Sequence, residues 1–383
     1  MPVAQIDDVH TQFFYQDSGV PLLDDKAYTT LVAVHGFGFN GHIFNRLVPL
    51  AKASHIRLVL LNRRGYHGST PFSNEETSPI DPSAFSGEEE TASAVSRSER
   101  ILSAHYATFL QQRGAEMARF LSWFIDNEKI PPRSNDAGRA SGGISLLGWS
   151  LGNVTTLSLL AFASTLDPGL MKKLEGYLRK VVIYDPPHHA LGLPTPESAY
   201  NPLFDPEIPA EQRQGRFGEW VSSYFVHSPT ILDPAVPLHN LMNGILEQRK
   251  TNPLKQATEN NITPADKLAG LEVVSPTHGD PFSLLPHARP VHATVRIRAI
   301  FGNLNETSGP AVLPNVDISY IWATEAIWET VLAMRSVRDE VAKPPAHHYP
   351  ARQVKFFALE GGNHFTHYDD PLKAFAAIAQ ALE

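Results

Sequence analysis

The segment Gly148-Trp149-Ser150-Leu151-Gly152 sets a serine midway between two glycines. A strand-like run ending in Leu146-Leu147 precedes it, and a helix-like stretch over 151–165 follows. That context suits a nucleophile. A serine on a sharp strand-to-helix turn stands exposed above a sheet, and flanking glycines remove Cβ atoms that would collide there. The start of the helix also aims backbone N–H groups at a developing oxyanion. Two other segments carry residue types that complete such chemistry. In Glu360-Gly361-Gly362-Asn363-His364-Phe365-Thr366-His367, His364 follows the glycines and is the better candidate base, whereas His367 lies three residues nearer the next helix. A base that must reach a serine at the sheet edge belongs on a loop at that edge. In Val32-Ala33-Val34-His35-Gly36-Phe37-Gly38, a strand runs into a glycine-rich turn, so the Phe37 N–H is the expected oxyanion donor beside that of Leu151. His35, at a strand end before a tight turn, reads as an anchor of the loop.

Positioning these groups takes a layered scaffold. Apolar, β-branched runs at 30–34, 57–61, 144–148, 180–184, 295–301 and 353–359 read as buried strands of a mostly parallel sheet. Helical spacing over 98–127 alternates with them. A final helix starts at Asp370 as N-cap with Pro371 in its first position, and would turn Leu372, Phe375, Ile378 and Leu382 to one face. Alternating strands and helices imply an α/β fold. Two stretches interrupt the pattern. Residues 69–96, rich in Ser, Glu, Pro and Thr, read as a solvated surface excursion. Residues 186–290 hold 16 of the 31 prolines in 105 positions, which marks an insertion between two strands. Its aromatic residues Tyr200, Phe204, Phe217, Trp220, Tyr224, Phe225 and Phe282 offer a roof for an apolar pocket, although Phe217, Trp220 and Tyr224 have the spacing of a helix packed in a core.

Composition removes other classes of function. The chain has 383 residues and no cysteine, so disulfides, zinc thiolates and a cysteine nucleophile are ruled out. With 32 Lys+Arg against 40 Asp+Glu, a formal charge of −8 and no long basic run, it is not built for nucleic acid. No apolar stretch of about 18 residues occurs, and the amino-terminal residues lack the basic start and apolar core of a signal peptide. Nor does Ala381-Leu382-Glu383 match a peroxisomal address, so a cytoplasmic protein is expected. His188-His189 and His347-His348 are poorly placed to share an ion, and no carboxylate cluster accompanies them. No metal is expected.

In order along the chain, the His35-Gly36 turn, Asn62-Arg63-Arg64-Gly65-Tyr66-His67-Gly68-Ser69, the Gly-Trp-Ser-Leu-Gly turn and the late Gly362-Asn363-His364-Phe365 resemble the α/β-hydrolase superfamily. Phe14-Tyr15-Gln16-Asp17-Ser18-Gly19 is similar to the first hairpin of that fold, and the resemblance runs from about residue 13 to 382. It departs where the family often has Asp-x-Arg-Gly-x-Gly-x-Ser, because Asn62 replaces the aspartate and His67 the second glycine. The resemblance implies an eight-stranded, mostly parallel sheet with helices on both faces. Residues 1–185 and 291–383 would form the core, with 186–290 as a cap between strands 6 and 7.

It also implies a carboxylate behind the histidine, in one of two places. With 295–301 as the seventh strand, the following loop reads Phe301-Gly302-Asn303-Leu304-Asn305-Glu306, with Asn305 where an aspartate is common and Glu306 beside it. At the end of the sixth strand, Val181-Val182-Ile183-Tyr184-Asp185-Pro186-Pro187 offers Asp185. Asp185 is the first choice and Glu306 the alternative. The surface excursion and the proline-rich insertion further resemble fungal secondary-metabolism members of the superfamily. The implied activity is that of a serine hydrolase using Ser150, His364 and Asp185, with Phe37 and Leu151 as oxyanion hole, on an ester or thioester of a moderately hydrophobic small molecule. No cofactor and no partner beyond the substrate are implied, and the oligomeric state is left open. The same fold hosts lyases and cofactor-independent oxygenases, in which a residue matching His364 acts as base on the substrate. A non-catalytic binding protein is a third reading, disfavoured by the presence of serine, histidine and acids together.

Overall fold

Strands that are apolar on both sides need cover on both faces of their sheet, and the chain supplies it. The computed structural model describes residues 2–21, 28–85, 92–134, 141–273, 279–302, 312–344 and 352–383. Its first four strands are β1 (Val3–Gln5), β2 (Gln12–Asp17), β3 (Thr29–Val34) and β4 (Ile56–Leu61). They are followed by β5 (Ile144–Trp149), β6 (Leu178–Tyr184), β7 (Asp317–Ala323) and β8 (Val354–Leu359). All eight join one sheet in the order β1-β2-β4-β3-β5-β6-β7-β8. β2 pairs antiparallel with β1 and β4, and every other pairing is parallel.

The central strands β3, β4 and β5 are buried at every position. Their side chains alternate between two layers, as a period of two requires. Val32 and Val34 face the layer of helices Ala92–Asn127, Gly152–Ala161 and Ala288–Phe301. Leu31 and Ala33 face the layer of the turn Gly41–Leu47 and the last helix, Pro371–Leu382. Val34 pairs with Gly148 and Trp149 with Tyr184, so β3, β5 and β6 end at one level. The carboxyl edge of a parallel sheet is where such folds place ligands. Among the described residues, no helix is long and apolar enough to cross a membrane.

Three sequence expectations are corrected. The stretch 295–301 is not a strand but the end of helix Ala288–Phe301, whose buried Ala288, Val291, Val295 and Ala299 follow a helical period. Its seven residues alternate apolar and basic at first, and a run so short satisfies either period. The seventh strand is instead Asp317–Ala323, paired with β6 and β8, so the connection carrying the helical insertion spans 185–316. In the last helix, Asp370 caps Lys373 N–H as expected, at 3.1 Å. The buried side, however, is Ala374, Ala377, Ile378, Ala381 and Leu382, while Leu372 is exposed and Phe375 half-buried. The alanines allow the helix to lie close to the sheet. Within 69–96, Thr77 and Ile80 are buried and Glu76 pairs with Arg64 at 2.8 Å, so the described part of that excursion is anchored.

Helix Trp328–Ala342 follows β7 and ties the insertion down. Buried Arg335 donates to Ile231 O at 2.6 Å, to Val236 O at 2.7 Å and to Asp339 at 2.9 Å. Replacing Arg335 with Met leaves two insertion carbonyls without a donor. Urea unfolding is expected to show a loss of about 3 kcal/mol; an unchanged midpoint would mean the insertion is held elsewhere.

Candidate active site

β5 ends at Trp149 and the next helix begins at Gly152, which leaves Ser150 in the turn with a φ of 53°. That left-handed conformation is uncommon for a residue with a side chain. It is held by the Ser150 N–H, which donates to Tyr184 O at 3.0 Å, and by Asn153 Nδ2, which donates to Ser150 O at 2.8 Å. Three glycines make the approach possible. A Cβ on Gly148 would lie 2.5 Å from Thr156 Oγ1, one on Gly152 2.5 Å from His35 O, and one on Gly36 2.7 Å from Ser150 Cβ.

The tertiary fold brings His364 to this serine, with Nε2 3.0 Å from Ser150 Oγ. On its other side, Nδ1 lies 2.6 Å from Asp185 Oδ2. Asp185 is fully buried just beyond β6, with a φ of 46°, and its Oδ1 accepts the Ala323 N–H at 3.2 Å. A carboxylate at Nδ1 keeps the proton there and leaves Nε2 to accept the serine proton. Trp149 Nε1 donates to His364 O at 3.0 Å, and its ring packs 5.0 Å from the imidazole. Asn363 reaches the insertion, donating to Ser222 O at 2.6 Å and Thr258 Oγ1 at 2.7 Å.

The other candidates separate from this group. Asn305 and Glu306 lie outside the described residues, and their segment follows helix Ala288–Phe301 rather than a strand. The loop that does follow β7 carries Glu325, which accepts from Lys255 Nζ at 3.0 Å. His367 is fully buried against the rings of Trp149, Phe44 and Phe365, and burial holds it well below the usual histidine range. It is a neutral core residue. His35 accepts the Arg63 N–H on Nε2 at 3.0 Å and donates from Nδ1 to Gly36 O at 2.9 Å, so it anchors its loop. The Gly36-Phe37-Gly38 turn lies against Ser150. Among the described residues, neither the Phe37 nor the Leu151 N–H donates to a protein acceptor.

The aromatic residues of the insertion serve packing more than roofing. Trp220, Phe225 and Phe282 are buried in the core, Tyr224 donates to Asp369 at 2.7 Å, and Phe204 is 75% exposed. A cavity beside the nucleophile turn is bounded by Leu151, Val154, Phe72, Tyr106, Phe109 and Arg113, together with Arg63 and, from the insertion, Gly279, Asp280 and Ser283. Helical spacing in 98–127 places Phe109 on the buried face but cannot show what it faces; it also puts His105 there, whereas His105 is exposed and the neighbouring Tyr106 is buried.

Tertiary folding also supplies a carboxylate to one histidine pair. Glu329 Oε2 lies 3.9 Å from His188 Nδ1 and 3.7 Å from His189 Nδ1, and one ligand atom of each residue falls within 4.8 Å of the others. Tetrahedral coordination at roughly 2.1 Å puts ligand atoms about 3.4 Å apart. The observed spacing is wider, and the three form an acid–imidazole cluster in which Glu329 and His188 are buried and His189 is half-buried. His347-His348 lie outside the described residues. Burial pushes Glu329 up to about 7 from an ordinary 4.5, and pushes His188 down to about 4.

The Alpha/beta hydrolase family model matches residues 31–378, and the chain belongs to that family. Family membership and the Ser150–His364–Asp185 geometry together define a serine hydrolase of that family. No curated protein matches the sequence significantly. Similar solved structures include the esterase RhEst1 from Rhodococcus sp. ECU1013, at 15% identity and a TM-score of 0.45, over 100% of this chain and 98% of that one. A bromoperoxidase from Bacillus anthracis shares 12% identity with a TM-score of 0.44, over 100% and 99% of the two chains. The esterase EaEST from Exiguobacterium antarcticum also shares 12% identity with a TM-score of 0.44, over 100% and 98%. At these values the likenesses add no functional argument.

Two measurements follow from this geometry. Gly36→Ala forces a Cβ onto Ser150, so ester turnover should fall by about a hundredfold or more while far-UV circular dichroism is unchanged; wild-type turnover would show that the turn yields freely. The raised pKa of Glu329 means the folded state resists its ionisation, so the group costs nothing well below about 4.5, its cost builds as pH rises from about 4.5 to about 7, and above that the cost is constant. Glu329→Gln should therefore gain on the order of 2 kcal/mol over wild type between about pH 5 and pH 8 in urea unfolding. A constant difference across that range would contradict it.

Proposed function

We propose that Ser150, His364 and Asp185 hydrolyse an ester or thioester of a moderately hydrophobic small molecule through an acyl-enzyme. The observation that carries this reading is the continuous relay from Asp185 through His364 to Ser150 Oγ, at 2.6 and 3.0 Å. As Ser150 Oγ attacks the substrate carbonyl carbon, His364 Nε2 takes its proton, and the N–H groups of Phe37 and Leu151 hold the oxyanion that forms. Collapse of this intermediate breaks the bond to the leaving alcohol or thiol, which takes the proton back from His364. Water, giving its proton to the same Nε2, then attacks the acyl-enzyme and releases the acid and free Ser150. No cofactor enters.

The apolar part of the cavity beside Leu151, formed by Phe72, Phe109, Leu110 and Val154, supports a hydrophobic acyl or leaving group, while Arg63, Arg113 and Asp280 line the same cavity with charge. Within the same proposal, residues 186–290 serve as the cap on a core formed by 1–185 and 291–383. A natural-product substrate of secondary metabolism rests only on the resemblance of the surface excursion and proline-rich insertion to fungal members. A cytoplasmic location rests on the sequence reading alone.

A fluorophosphonate probe should label wild-type protein at Ser150 and leave a folded Ser150→Ala variant unlabelled. Asp185→Asn should lower kcat by on the order of a thousandfold or more, while Glu306→Gln stays within a few-fold of wild type. Failure to label folded wild-type protein would favour a lyase or oxygenase in which His364 acts on the substrate. Loss of activity in Glu306→Gln alone would move the acid to Glu306.

A further inference from the structure

The oxyanion turn is gripped by a carboxylate that the sequence places far away. Arg63 is buried beneath the turn, donating from Nε to His35 O at 3.0 Å and from Nη2 to Gly36 O at 2.8 Å. The same guanidinium meets Asp280 two-pronged, Nη1 to Oδ1 and Nη2 to Oδ2, each at 2.6 Å. Tyr66 completes the arrangement. Its hydroxyl donates to Asp280 Oδ2 at 2.5 Å and accepts the Gly38 N–H at 3.2 Å. Asp280 belongs to the insertion, in the short helix Gly279–Phe282. A second stretch of the insertion holds the far side of the turn: the Glu272 N–H donates to Gly38 O at 2.8 Å, and the Asn40 N–H donates to Gly270 O at 2.8 Å.

Peptide geometry turns these contacts into an argument about Phe37. In a trans peptide the C=O of Gly36 and the N–H of Phe37 point in opposite directions. Fixing Gly36 O on Arg63 and on His35 Nδ1 therefore fixes the direction of the Phe37 N–H. The next peptide is fixed in the same way by Gly38 N–H on Tyr66. With glycine on both sides of Phe37, and Gly38 at a φ of 72°, the turn has little stiffness of its own. Its rigidity comes from outside.

We propose that Asp280 is a positioning residue of the oxyanion hole: through Arg63 and Tyr66 it holds the Phe37 peptide in the orientation that acyl transfer needs, so a correctly seated insertion is a condition for catalysis. This deepens the hydrolase reading and rests on it. Asp280→Asn keeps the volume and removes the charge. It should lower kcat on a p-nitrophenyl ester by about ten- to a hundredfold, and slow fluorophosphonate labelling in step. Amide hydrogen exchange of the peptide spanning 36–40 should quicken. The double variant Arg63→Gln/Asp280→Asn removes the unpaired buried charge, so it should regain thermal stability without regaining kcat, a split that a purely structural role does not produce. Tyr66→Phe, which deletes one hydroxyl, gives a milder version of the same loss should Asp280→Asn not fold.

The proposal is overturned if folded variants keep kcat and exchange at wild-type values, or if the double variant recovers both stability and kcat. Wild-type protein that neither hydrolyses the ester nor takes the probe would defeat the hydrolase reading. In that event, exchange over 36–40 still decides the clamp: faster exchange in the variants supports it, and unchanged exchange overturns it.

Discussion

Ser150 is held at a φ of 53° by the meeting of three chain segments in a space that admits no extra carbon atom. Its N–H is committed to Tyr184 on β6, the helix that follows it starts directly beneath His35 at the end of β3, and Gly36 lies against its Cβ. A left-handed residue with a side chain costs roughly 1–3 kcal/mol, so the surroundings must impose it. They do so because β3, β5 and β6 are adjacent, parallel, buried on both faces and level at their carboxyl ends. The same level ends put Asp185 one residue past β6, which brings the carboxylate into line with a base arriving from beyond β8.

Buried charge organises the rest of the molecule in closed pairs. Arg57 meets Asp17 and Glu128, Arg64 meets Glu76 and Glu116, and Arg63 meets Asp280. Taking such groups from water costs nearly as much as their attraction returns, so these pairs add little net stability. Their effect here is geometric: each fixes one segment of the chain against another. Arg63 and Arg64 both follow β4, and between them they reach the Gly36-Phe37-Gly38 turn, the insertion and helix Ala92–Asn127.

The insertion consequently touches the chemistry from two sides. Ser222 and Thr258 receive Asn363 beside the histidine, while Gly270, Glu272 and Asp280 hold the turn that carries Phe37. A cap that only covered a pocket would not be expected to bond to both halves of the catalytic apparatus. The same segment thus braces the histidine loop and the Gly36-Phe37-Gly38 turn together, and its many prolines limit the conformations over which such contacts must be kept.

Local patterns were legible without a structure. The glycines around Ser150, the His35-Gly36 turn and the Gly-Asn-His loop could be read from residues within a few positions of one another, because a sharp turn imposes its demands on its immediate neighbours. Five of the six expected strands lie where apolar continuity put them. The sixth, 295–301, was misread because seven residues satisfy a strand or a helix equally, and the pairing that decides between them lies with β6 and β8. Glu329 beside His188, the cavity-facing side of Phe109 and the grip of Asp280 on Arg63 were not legible at all, since their partners stand 37 to 217 residues away. The sequence by itself determined the nucleophile, the base and the class of fold. Only the tertiary structure decided that Asp185 is the carboxylate that meets His364, and which buried charges hold the Gly36-Phe37-Gly38 turn, because such contacts depend on strand order and on which side chains share one desolvated space.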